Sequence, residues 1–524
     1  MIIYRNTRHH FSIPLLLILI LLLLTAPAII GQQDAECTVR VTLLQVNDVY
    51  QFTPVDDGKR GGLGRILTLK RQIETESPNT IFMMAGDTIS PSVESITYRG
   101  AQMIDAWNLV GLDYATFGNH EFDFGPEVLV ERIKESRFAW LAANVIDRQT
   151  SKPFGGALPF VIREFDGVKV GIFGLVLPET RITSRPGATV EFLDPCETAK
   201  KTVDDIRAQG ANTVVALTHL SMREDKEVAR CAGIDVVIGG HEHSLLQSSS
   251  GGVPIFKVTS DARELGRIDL NIKKATGAVE SIDWQVIPVD ATVKEDTQIF
   301  PLKTKYAKIL RELAIPVGST SVILDARSAA NRQQETNVGN FVADAFRKAV
   351  TAHVALINGG SIRADATINP GRLTRRDVLG ILPFKNKIVK VEVTGATLRA
   401  ALEHGVARSS EDAEPGRFPQ VSGLKFSFDA RRPAGSRIVA VSIGGRPLNE
   451  SQKYTLATTT FLAIDGGDGY SMFKESRLLV SPALGPLDSD ALQRAIRAVK
   501  SIAPRVEGRI KRLDTPSLPR PGCH

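Results

Sequence analysis

From residue 38 to about 290, short apolar runs alternate with longer stretches in which apolar residues return every three or four positions. The runs 39–46, 80–84, 114–117, 168–175, 213–217 and 235–238 read as strands, and the stretches 64–75 and 126–136 as amphipathic helices. Strands alternating with helices predict a layered α/β fold; hairpin-like spacing between some strands leaves a mixed sheet open. A charged helix follows at 298–313, carrying Lys303, Lys305, Lys308, Arg311 and Glu312. A second apolar pattern then begins near Ser321, with a helix at 338–351, a buried strand at 354–357, a helix at 395–406 and strands from 424 to 460. The expected divisions are a leader at 1–31, a first domain at 38–297, a linker helix at 298–320, a second domain at 321–513 and a tail at 514–524.

The leader changes the picture of where the chain works. Arg5 and Arg8 precede an unbroken Leu/Ile run at 15–24, and Ala26-Pro27-Ala28 offers small residues for cleavage. That is the layout of a secretory signal peptide, with an apolar run too short to span a bilayer. Residues 515–524 are polar and Pro-rich, so no anchor is expected after cleavage and the protein is expected to be exported, periplasmic or extracellular. Of 524 residues, 43% are hydrophobic and 23% charged, as in a globular protein of more than one domain. A net charge of +6 on so long a chain, without a long basic run, argues against a nucleic-acid polymer as partner. The four cysteines, Cys37, Cys196, Cys231 and Cys523, form no C-x-x-C pair. Cys196–Cys231 and Cys37–Cys523 are possible disulfides, and the sequence does not choose among the three pairings.

Polar residues of one kind recur just past the expected strands. They are Asp48 in Asn47-Asp48, Asp87 in Gly86-Asp87, Asn119 and His120 in Gly118-Asn119-His120-Glu121, His219 in Thr218-His219, and His241 and His243 in Gly240-His241-Glu242-His243. Ligand crevices in α/β sheets form at the carboxyl ends of strands. Carboxylate, amide oxygen and imidazole together suit a divalent ion such as zinc or manganese. One tetrahedral site needs about four ligands; six candidates plus His120 suffice for two ions sharing one carboxylate, the arrangement that clamps a phosphoryl displacement. A single Gly-Asp or Thr-His is ordinarily a turn or a strand end, and it is the ordered set that points to chemistry.

The second half offers three clusters and a further aromatic. Arg332 precedes the helix at 338–351. Asn358 and Arg363 flank the glycine turn after the strand at 354–357. Phe461 and Asp468 bracket Asp465-Gly466-Gly467, and Phe418 lies on an expected loop. Arginine forks suit phosphate, carboxylates suit ribose hydroxyls and paired aromatics suit a flat base.

The ordered motifs of the first half resemble the calcineurin-like metallophosphoesterases, and Gly118-Asn119-His120-Glu121-Phe122-Asp123 is similar to their 5'-nucleotidase branch. The clusters of the second half resemble the 5'-nucleotidase C-terminal domain. The resemblance implies a four-layer α/β/β/α metallophosphoesterase domain followed by a mixed α/β nucleotide-binding domain. It further implies two divalent ions bridged by Asp87, with Asp48 and His243 on one and Asn119, His219 and His241 on the other, and a His120–Asp123 dyad stabilising the transition state. It assigns Arg332 and Arg363 to phosphate or carboxyl groups, with Asn358 as a substrate contact beside Arg363, Phe418 and Phe461 to the base, and Asp468 to ribose. Two departures stand out: Tyr50 occupies the place of a histidine in the first motif, and the loop from Phe461 to Asp468 carries one extra residue. The expected activity is release of phosphate from nucleoside 5'-monophosphates. Hydrolysis of UDP-sugars or 2',3'-cyclic nucleotides, the thiosulfohydrolase action of the same superfamily, and nucleotide binding with a weakened metal site remain alternatives.

Overall fold

The computed structural model describes residues 38–56, 58–409 and 415–514. The leader, the last ten residues and the Cys37–Cys523 pairing fall outside that range. In the first half, two six-stranded mixed sheets face each other. One has the order Val279–Pro288, Glu264–Lys273, Thr38–Val46, Thr80–Ala85, Tyr114–Thr116, Ala139–Leu141. The other has the order Leu246–Ser250, Val253–Lys257, Val236–Gly239, Thr213–His219, Val168–Val176, Phe160–Phe165. Four strands of each run parallel, with antiparallel strands at the edges.

Alternation along the strands explains the layering. Val41, Leu43, Ile81 and Met83 point inward to meet Val170, Ile172, Val215 and Leu217 of the opposite sheet. Leu44, Phe82 and Met84 point outward against Leu63, Ile66 and Trp107 of the helices Leu63–Glu76 and Ala101–Val110. Val203 and Ile206 of Pro195–Ala208 cover the second sheet. The result is the expected α/β/β/α order. Parallel register sets the strand ends level: Val46 pairs with Met84, Ala85 with Thr116, and Thr218 with Gly239. Every metal-type motif therefore leaves the sheets at the same edge.

Cys196 and Cys231, on the two helices that flank Thr213–His219, form a disulfide spanning 35 residues. The charged helix Ile299–Leu313 packs with the first half: Ile299 and Tyr306 join its core, and Lys305 and Tyr306 both reach Asp105. The strand Pro316–Thr320 instead pairs with Gly371–Thr374 and Ser501–Ile502. The chain passes from the helix Ile299–Leu313 to that strand through Ala314 and Ile315, within the expected linker region 298–320.

The second half centres on a five-stranded sheet in the order Pro419–Ser422, Val354–Asn358, Lys453–Thr459, Ile388–Thr394, Arg477–Val480. Ala355 and Ile357 face Phe346 of the helix Asn337–Ala349, while Val354 and Leu356 face Leu398 and Leu402 of Gly395–Val406. Among the described residues no helix is long and apolar enough to cross a membrane.

Candidate active site

The loops after the strands converge on one buried cluster. Nearest one another are ligand atoms of Asp48, Asp87 and His219, all within 4.8 Å. His219 Nε2 lies 3.2 Å from Asp87 Oδ2, and His243 Nε2 lies 3.2 Å from Asp48 Oδ1. The ring of His241 is 5.2 Å from that of His219.

Local backbone demands explain the glycines beside these residues. A Cβ at Gly86 would stand 2.5 Å from His219 Nδ1, one at Gly118 would overlap the Asp87 carboxylate, and one at Gly240 would overlap the Ala85 carbonyl. The candidate ligand residues take the left-handed conformation: Asp48 at φ 53°, Asp87 at 62°, His241 at 88° and His243 at 56°. Such backbone persists for L-residues only where surrounding contacts hold it, and it gathers at functional sites. Glu121 supplies some of that hold, accepting from the main-chain N–H groups of Asp87 (2.9 Å), Thr88 (2.6 Å), Ile89 (3.2 Å) and Gly118 (2.5 Å).

The donor set fits divalent ions. Asn119 Oδ1 is buried without a hydrogen-bond partner, a free carbonyl lone pair inside a polar cluster. The Ala85 carbonyl is 2.8 Å from His219 Nδ1, which leaves Nε2 for the centre. Burial works against charge on His219, but Asp87 and Asp48 outweigh it and push the imidazole up to about 10; His243 is pushed up to about 9 in the same way, chiefly by Asp48. Protons on these rings thus supply the positive charge that the carboxylates call for, which a cation would replace.

Tyr50 sits among these residues. Its hydroxyl lies 3.3 Å from both Asp48 Oδ1 and Asp87 Oδ2, and 2.9 Å from His243 Nε2. Arg363, from the second half, donates to it at 3.2 Å and covers its ring. Burial, then the carboxylates of Asp87 and Asp48, push this phenol well above its usual value, so it is neutral.

His120 stands at the rim of the cluster, its Nε2 4.0 Å from Asp87 Oδ2. Asp123 holds Nδ1 at 2.7 Å and accepts in turn from Ser184 Oγ at 2.8 Å. Phe384, from the second half, stacks on the imidazole at 5.8 Å.

Between the halves lies a cavity of about 860 Å³. Asp87, Asn119, His120 and His241 line one wall, and Arg332, Asn358, Arg363, Phe461 and Asp468 the other. Asn358 Nδ2 donates to Asp468 Oδ2 at 2.6 Å. Phe461 lies over Gly467, where a Cβ would overlap its ring. Phe461 opens a π-helical turn, Phe461–Asp465, a wider turn than an α-helix makes.

Phe418 departs from expectation. It is fully buried, packs against Phe428 at 6.0 Å and does not line the cavity. Its neighbour Arg417, in the turn closed by Phe418 N on the Pro415 carbonyl, turns outward to Glu179 (2.7 Å), and the Phe418 ring joins the core of the sheet that follows. Only its carbonyl serves the site, accepting from Gly359 N at 2.6 Å. Sequence reasoning also missed Phe384, Ser184 and the pairing of Arg408 and Arg417 with Glu179 across the halves. No local motif marks them, since only the packing of the halves brings them to the site.

Comparison with known proteins fits this geometry. The calcineurin-like phosphoesterase family matches residues 41–245, and the 5'-nucleotidase C-terminal domain matches residues 316–475. Human 5'-nucleotidase is 30% identical over 525 residues, covering 90% of each chain. This chain belongs to the 5'-nucleotidase family. It is a metal-dependent phosphoesterase. The crystal structure of a 5'-nucleotidase precursor from Thermus thermophilus superposes with a TM-score of 0.85 at 30% identity, covering 91% of this chain and 100% of that one. The trifunctional nucleotide phosphoesterase protein YfkN of Bacillus subtilis is 30% identical over 532 residues; that match takes in 92% of this chain and 35% of the Bacillus protein, so the chain spans about a third of its length.

Proposed function

We propose that this 5'-nucleotidase family member releases phosphate from nucleoside 5'-monophosphates outside the cytoplasm, using two divalent ions. The observation that carries the reading is a cavity with two unlike walls. On the first-domain wall (38–297), Asp87 would bridge the ions, with Asp48 and His243 on one and Asn119, His219 and His241 on the other. Bound there, divalent ions supply an acidified water and positive charge against the phosphoryl oxygens.

The chain's own residues do the rest. His120, oriented by Asp123, donates toward an equatorial phosphoryl oxygen, where charge develops in the transition state. Arg332 and Arg363 hold the phosphate, Asn358 and Asp468 face the ribose hydroxyls, and Phe461 stacks on the base. Holding the nucleotide from the second-domain wall (321–513) orients phosphorus for in-line attack, which is the entropic part of catalysis. The Cys196–Cys231 disulfide supports export, because such bonds persist in oxidising compartments.

The deciding assay follows phosphate release from AMP by the purified protein, with EDTA and with manganese or zinc restored. The expected result is turnover that EDTA abolishes and metal restores. Hydrolysis of UDP-glucose or 2',3'-cyclic AMP with none of AMP would move the activity to a sister reaction. Nucleotide binding without phosphate release from any of them would leave a binding protein.

A further inference from the structure

Lys257 ends the strand Val253–Lys257, with 1% of its side chain exposed and no share in lining the cavity. Four oxygens surround its ammonium: the carbonyls of Leu220 (2.7 Å) and Gly240 (2.9 Å), Asp225 Oδ2 (2.7 Å) and Glu242 Oε2 (2.5 Å). The first carbonyl belongs to the residue after His219, and the second to the residue before His241. The two carboxylates extend the tie. Asp225 Oδ1 accepts from Thr218 Oγ1 at 2.6 Å, and Glu242 Oε1 accepts from Met222 N at 2.5 Å. A single cation therefore fastens the loop that delivers His219 to the loop that delivers His241. Room for it is tight, since a Cβ at Gly239 would stand 2.8 Å from Lys257 Cε.

A buried ion group is weak evidence of stabilisation, because well-packed apolar residues often serve stability equally well. What an apolar side chain cannot do is hold two main-chain carbonyls from separate loops in fixed relation. We propose that Lys257 is a positioning residue for the divalent ion taken by His219 and His241, with Asp225 and Glu242 as its anchors. The inference rests on the metal assignment above. Groups that orient metal ligands typically govern affinity by about 10–100-fold.

The test titrates apo-protein with manganese by calorimetry, comparing wild type, Lys257→Met and Arg509→Met. Arg509→Met removes a buried guanidinium from its pair with the partly exposed Asp344 in the second half and controls for lost stability. Lys257→Met should weaken manganese binding at one class of site by about 10–100-fold, while Arg509→Met lowers the melting temperature and leaves the titration as in wild type. A wild-type titration for Lys257→Met, or equal weakening in both variants, would overturn the proposal. Should Lys257→Met not fold, Lys257→Gln carries the same comparison, keeping a donor for one carbonyl and losing the charge. Failure of wild-type protein to take up manganese would instead overturn the metal assignment itself, and this inference with it.

Discussion

The two walls of the cavity are held in different ways. On the proposed metal side Asp87 is fixed several times over: it takes a left-handed backbone, accepts from His120 N at 2.8 Å and lies against His219 and Tyr50. On the proposed nucleotide side the residues come from separate turns, Arg363 after Gly359–Ser361, Phe461 on its π-helical turn and Asp468 on a short turn further on, with Asp468 tied to Asn358 at 2.6 Å. A shared, interlocked centre fails as a unit, whereas contacts drawn from separate turns fail largely one at a time. Changes on the first wall should therefore remove chemistry, and changes on the second should mainly weaken binding.

The largest effect is expected at Asp87. Since one carboxylate would serve both ions, Asp87→Asn should lower kcat on AMP by well over the roughly 100-fold seen when groups behind metal ligands are changed. Metal analysis of the purified variant should show the ions depleted; full metal content with full activity would refute the shared centre.

On the opposite wall the two phenylalanines should part company. Phe461→Ala should raise KM for AMP by about 5- to 150-fold, the equivalent of about 1–3 kcal/mol of base stacking, and leave p-nitrophenyl phosphate nearly untouched. Phe418→Ala should cost about 3–5 kcal/mol of folding stability, as for a buried ring in a core. Denaturant melts of both variants, beside KM on both substrates, separate the roles, and matching profiles would contradict the burial difference.

Much of the metal wall was legible because its chemistry is spelled by rare combinations. Gly118-Asn119-His120-Glu121 and Gly240-His241-Glu242-His243 follow strands whose apolar runs are plain, and parallel register carries their meaning into space. Phe418 misleads because an aromatic in a glycine-rich stretch looks the same whether its ring faces a ligand or a core; its burial against Phe428 decides it. Several helices also escaped the periodicity. Met222–Cys231 has few apolar residues, although its Ser221/Glu224 capping box was there to be read. The strands Glu264–Lys273 and Val279–Pro288 interleave polar residues with apolar ones, so no apolar run announced them.

A smaller effect is expected where the walls touch. Tyr50 is a neutral phenol among carboxylates, a poorer ligand than imidazole, so Tyr50→His should lower the manganese needed for half-maximal phosphate release by about tenfold, or about 1.4 kcal/mol. An unchanged requirement would mean that the phenol serves only Arg363 and packing.

The disulfide between Cys196 and Cys231 encloses the whole of Thr213–His219, so the strand that delivers His219 lies inside a covalent ring. Peptide-bond cleavage anywhere on that ring cannot release a fragment. A protease cutting between helix Pro195–Ala208 and helix Met222–Cys231 would leave a protein that runs as one species without reductant and as two pieces with it. The consequence is tolerance: a singly nicked molecule keeps the segments on both sides of the cut tethered until the disulfide is reduced.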